Sequence, residues 1–160
     1  MSKSGGAMML EQFIKSTVAY LVSIEPMNAY IQKMPKDVKY PAYVVNKCDI
    51  NTTFLNSVYY VNTVTLYIRV FGNDEVGLKN KVYNLINSIF ENRCIIPILD
   101  VTGLPTERYI RVEDVESIDI NVDQNEIYCQ EINFSFDTQH PVNIQEFDIL
   151  AKVNSNLNYN

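Results

Sequence analysis

Residues 61–90 read VNTVTLYIRVFGNDEVGLKNKVYNLINSIF, and the rhythm of their apolar residues changes once. Up to Phe71 these residues alternate: Val58, Tyr60, Val64, Leu66, Ile68 and Val70 fall on one side of an extended chain, Tyr59, Thr63, Thr65, Tyr67 and Arg69 on the other. After Asp74 they recur at three and four, placing Val82, Leu85, Ile86, Ile89 and Phe90 on one helical stripe. The spacing predicts a strand over 57–71 with one core face and one polar, aromatic face, then a helix over 74–92. A strand that enters a helix through glycine is also how phosphate-binding loops begin, so the corner between them has to be read first.

A phosphate cradle needs exposed amides, several glycines and usually a lysine. This corner has Gly72 alone, followed by Asn73, Asp74 and Glu75, whose side chains can occupy the free helix amides and offset the positive end of the dipole. An arriving phosphate would meet two carboxylates, each a repulsion of about 1 to 4 kcal/mol. The corner is read as a helix cap, and no cofactor-binding residue is assigned to it.

Working outward, Leu10, Phe13, Ile14, Val18, Leu21 and Val22 form a second amphipathic stripe, with Glu11, Lys15 and Ser16 off it, ending before Pro26. A short strand is expected over 29–34 and another over 42–47, entered through Pro41. The segment CDINTTFLN (48–56) reads as a polar loop. IIPILD (95–100) carries Pro97 and reads as an edge strand or extended link, and TGLPTERY (102–109) as a loop. ESIDINVD (116–123) and IYCQEINFSFD (127–137) form a hairpin about the turn DQNE; Ile118, Ile120 and Val122 point one way, Ser117, Asp119, Asn121 and Asp123 the other. The expected fold class is α+β: a mostly antiparallel sheet packed against two amphipathic helices in helix–strands–helix–strands order, with a C-terminal extension. The expected organisation is a disordered arm or added expression remnant over 1–8, one domain over 9–140, and a tail over 141–160 with an apolar patch at Ile144, Phe147, Ile149 and Leu150.

With 160 residues, 47% hydrophobic and 20% charged, the chain is long enough for one well-buried core. It contains no apolar run of membrane-spanning length, and MSKSGGAMM lacks the apolar core of a secretion signal, which points to a soluble chain made inside the cell. Cys48, Cys94 and Cys129 are too dispersed for a zinc pattern or a disulfide framework and read as reduced thiols. The single histidine, His140, reads as a turn residue, so no metal ligand is assigned. Ser135, Asp137 and His140 contain the letters of a hydrolase triad but no strained nucleophile turn, and no catalytic residue is assigned. Glu113, Asp114, Glu116, Asp119 and Asp123 alternate along a strand, unlike a compact calcium loop, and read as a solvated acidic face.

Charge is unevenly spread. Through Arg93 there are ten Lys and Arg against seven Asp and Glu, a net +3; from Cys94 onward there are three against twelve, a net −9. No basic cluster suggests a grip on nucleic acid. The tyrosines are mostly strand residues, and those on the outer face are suited to be interface anchors.

In order, LEQFIKSTVAYL, KYPAYVV, VNTVTLYIRVFGNDEVGLKNKVYNLINSIF and EIYCQEINFSFDT resemble the tail terminator, or tail completion, proteins of long-tailed bacteriophages and phage-tail-like particles. The resemblance spans about residues 10–137 and rests on element order and texture rather than on a diagnostic motif. It implies a non-enzymatic virion subunit without cofactors. Such a subunit assembles in the host cytoplasm, typically as a hexameric ring, on the head-proximal end of the tail tube, where it stops polymerisation and presents a surface to the neck. The implied partners are further copies of itself, the tube protein with the sheath as a further candidate, and the neck or head–tail connector; no membrane is involved. DNA would cross the lumen without specific binding, which an acidic wall favours. Glu113, Glu116, Asp119 and Asp123 are the channel-facing candidates, and Tyr59, Tyr67 and Arg69 the interface candidates. The +3 and −9 halves are candidates to meet between neighbouring copies. The competing readings are a head–tail connector or other tail subunit and, from a different class, a soluble ligand-binding module.

Overall fold

In a computed structural model, which describes residues 5–31, 34–122 and 126–141, the chain is α+β. Its order is α1 (Gly5–Ile24), β1 (Asn28–Tyr30), β2 (Ala42–Phe54), β3 (Tyr59–Gly72), α2 (Glu75–Glu91), β4 (Ile95–Leu99), β5 (Pro105–Arg111), β6 (Asp114–Ile120) and β7 (Tyr128–Pro141). A five-stranded sheet has the order β1-β2-β3-β7-β6, parallel only between β1 and β2, and β4 and β5 form a separate ribbon.

The strand and helix predicted about the corner both form. Val64, Leu66, Ile68 and Val70 are buried and face Leu78, Val82, Leu85 and Ile89 of α2 and Phe13, Val18 and Leu21 of α1 within one core. Asp74 is the N-cap of α2: its carboxylate accepts from the Gly77 amide at 3.1 Å. A Cβ at Gly77 would stand 2.2 Å from that oxygen, so the bare backbone at this position keeps the cap in place. Phe90, assigned to the buried stripe, is instead 57% exposed, because that stripe runs Leu78, Val82, Leu85 and Ile89 and Phe90 lies one residue round the helix from it.

α1 starts at Gly5, more than a turn before Leu10, where its stripe begins; Gly5, Gly6 and Ala7 offer no apolar side chain by which periodicity could register them. Ser16, placed off the stripe, is buried at 1% exposure, because its hydroxyl is bonded on both sides: it donates to Gln12 O and accepts from the Leu99 amide. At the other end of α1 the buried Tyr43 hydroxyl donates to the Glu25 carbonyl at 3.0 Å, and burial raises its pKa. Glu25 also forms an ion pair with Lys81, joining the two helices.

Two segments read as loops are strands. Residues 48–54 continue β2 and pair with β3 out to Phe54–Tyr60; the Asp and Asn side chains that suggested a loop lie on the solvent-facing side. The extra residue, Asn46, is taken up in a bulge between Val45 and Lys47. Residues 105–109 belong to β5, where Pro105 and Pro97 are tolerated because β4 and β5 form only a two-stranded ribbon. The first short strand is confined to Asn28–Tyr30, and residues 32–33 of its predicted range lie outside the described residues. The tail from 142 onward also lies outside them. Among the described residues no helix is long and apolar enough to cross a membrane.

Candidate assembly surfaces

Both helices contribute to the core on one side of the sheet, so the cross-strand register defines what the other side displays. Four rows run across it: Asp114–Ser135–Thr65–Asp49, Glu116–Asn133–Tyr67–Lys47, Ile118–Glu131–Arg69–Val44 and Ile120–Cys129–Phe71–Ala42. Of the last row Cys129, Phe71 and Ala42 are buried and Ile120 half-buried, and the ring of Tyr40 lies 6.4 Å from that of Phe71. The other rows are polar and tied across strands. Arg69 Nε and Asn46 Nδ2 each donate to Glu131 Oε2 at 3.1 Å, the Lys47 ammonium sits 4.2 Å from the centre of the Tyr67 ring, and Lys47 donates to Asp49 at 2.8 Å. That bond lowers the Asp49 pKa and raises that of Lys47. Asn133 Oδ1 is buried in the same face with no donor among the described residues. With Asp137, which is bonded to Thr63 at 2.6 Å, the face carries five carboxylates against Lys47 and Arg69.

The four channel-facing candidates do not share this face. Glu116 lies on it, and Glu113 is exposed just before β6. Asp119 lies on the helix side, accepting from Gln130 at 2.7 Å and standing 3.6 Å from Lys79; the Gln130 bond lowers its pKa first, the Lys79 charge second. Asp123 lies outside the described residues. Ile118 and Ile120 point the same way, as the alternation predicts, and that way is the helix-free side, where Ile118 is exposed; the residue of β6 that packs on the core is Val115. The interface candidates fare differently: Tyr67 and Arg69 are neighbours within the rows, while Tyr59 sits at the far end of β3, opposite Pro141.

That far end is an arm. Beyond the helices, β2 and β3 run on to a turn in which Asn56 Oδ1 accepts from the amides of Val58 and Tyr59. Ile50, Phe54, Leu55, Val58 and Tyr59 are all exposed there, Phe54 by 72%. The reading of 48–56 as a loop hid this arm. The signal that could have found it is the alternation of Cys48, Ile50, Thr52 and Phe54 with Asp49, Asn51 and Thr53.

The triad letters are not brought together. Ser135 lies against Thr65, Asp137 against Thr63, and His140 stacks on Tyr60 from the opposite face. Among the described residues no group of three or more His, Cys, Asp or Glu could hold a metal ion.

No family model matches the chain, and no curated protein matches it. Among solved structures, a chain of the "Virion of native gene transfer agent (GTA) particle" is similar over 76% of this chain and 86% of that one, with a TM-score of 0.48 and 8% identity.

Proposed function

We propose that this chain is a structural subunit of a bacteriophage tail or phage-tail-like particle. In this reading it is a tail terminator that closes the head-proximal end of the tube as a ring, ends polymerisation and presents its far surface to the neck. The observation that carries the reading is the sheet face on which no helix lies among the described residues, polar yet ordered by cross-strand bonds, beside an apolar arm that reaches past the core. Two unlike surfaces on one subunit suit a heterologous contact, the kind that closes into rings. The segments that carry the sequence resemblance fold together as α1, the start of β2, β3 with α2, and β7. In such a ring the helix-free face, with its excess of carboxylates, lines the channel, and Tyr67 and the arm contribute to contacts between copies.

The test is to add the full chain to purified tail tubes and image them. One ring at a single end of each tube is expected, and tubes of irregular length are expected when the gene is deleted. A chain absent from assembled particles, or one that turns over a substrate, ends this reading.

A further inference from the structure

Among the described residues the sheet has two free edges of matched kind. β1 covers only residues 42–44 of β2, so residues 45–54 have no backbone partner on that side among the described residues. The opposite edge is β6, seven residues long. Natural edge strands are usually short, bulged, charged or interrupted by proline, because a bare row of amides and carbonyls recruits other strands. β2 is bulged at Asn46 and charged at Lys47 and Asp49, yet INTTF (50–54) carries neither charge nor proline and is exposed throughout. A strand edge of that length and composition has the character of an unfinished contact.

The geometry points to β6 of a second copy as the strand that covers it. Each of β3, β7 and β6 runs antiparallel to the strand before it in the sheet. The next copy's β2, in the same orientation and placed beside β6, therefore forms one more antiparallel pair, and the sheet continues from copy to copy without a flip. Main-chain bonds supply the attraction in such strand addition and side chains set the register. The charges agree: β6 bears Asp114, Glu116 and Asp119 and no cation, while Lys39, whose carbonyl accepts from Asn28 of β1, and Lys47 stand on or near the β1–β2 edge against Asp49. The contact is head-to-tail: each pairing uses one edge of each copy and leaves the other for the next neighbour, so that a closed ring uses both edges of every copy. This inference rests on the ring reading above and specifies the surface by which the ring is joined.

Hydrogen exchange of the full chain, alone in dilute solution and assembled on tail tubes, tests it. Amides in both 47–54 and 114–120 are expected to slow by about tenfold or more on assembly. Asn51→Glu, an exposed change on the β2 edge, is expected to weaken assembly by about two- to fivefold, and Glu116→Lys to restore part of that loss. If rings form while both edges exchange as they do in the monomer, strand addition is wrong and the ring reading stands. If no ring forms even with tubes present, both fail together.

Discussion

Leu99 gives both of its backbone groups to one helix. Its amide donates to Ser16 Oγ at 2.9 Å and its carbonyl accepts from Gln12 Nε2 at 2.7 Å, at the point where the β4–β5 register slips. Those groups lie beyond the last regular ladder pair, so α1 supplies what the partner strand does not. Ser16 is buried and Leu99 half-buried, and removing the hydroxyl takes from the Leu99 amide its side-chain acceptor. Ser16→Ala is therefore expected to cost about 0.5 to 1.5 kcal/mol, the net contribution of an ordinary hydrogen bond. Ser23→Ala, which removes an exposed hydroxyl bonded to the Tyr20 carbonyl, should change stability by about 0.5 kcal/mol or less. Denaturant midpoints at constant slope measure both, and equal losses would contradict the clamp.

Elements show the same reliance on single polar groups where the chain turns. Asp100 closes the β4–β5 turn, accepting from the amides of Thr102 at 2.8 Å and Leu104 at 3.0 Å and from the Thr102 hydroxyl at 2.6 Å. These bonds, that of the Thr102 side chain first, hold its pKa below the usual carboxylate value. A depressed folded-state pKa means that this contribution is complete above the unfolded value and is lost as pH falls through the lower, folded one. The Thr102 and Leu104 amide shifts should hold on acidification past about pH 4, the ordinary carboxylate range, and move only below it. Asp100→Asn should abolish that titration; a midpoint at or above the ordinary value would show that the bonds do not persist in solution. What was legible in the sequence divides along similar lines. Strict alternation in β3 and the three–four repeat in α2 revealed both elements and their core, because one face of each is buried along most of its length. β5 and the outer half of β2 were obscured, since neither carries a continuous apolar face and turn-forming residues mark both: Gly103 just before β5 and Pro105 at its start, Asp49 and Asn51 within β2. The charge pattern of β6 was visible but its direction was not, because on an edge strand Ile118 is as exposed as its acidic neighbours and alternation loses its meaning.

At the scale of the molecule, the proposed ring turns local strand register into a field. Five carboxylates and two cations on each helix-free face leave every copy with an excess of negative charge on that side, and repeating it around a channel sums the potential of the wall. DNA passing such a wall meets repulsion at every angle, and the only lysine and arginine described on it, Lys47 and Arg69, are already paired with carboxylates rather than free to displace the counterions of the DNA. Arg69 is held by Glu131, and Lys47 by Asp49 and the Tyr67 ring, so both cations on the face are already engaged. Replacing Glu116 and Asp137 by Lys changes the charge of each copy by four without entering the core, because both side chains are exposed. Rings of that double variant should retain linear duplex DNA at low salt, with retention falling steeply as salt rises, while unaltered rings retain none. Glu91→Lys with Glu107→Lys, which makes the same change in total charge on α2 and β5, separates face from net charge. If that pair traps DNA equally well, the helix-free face does not line the channel, and the wall belongs to another surface of the subunit.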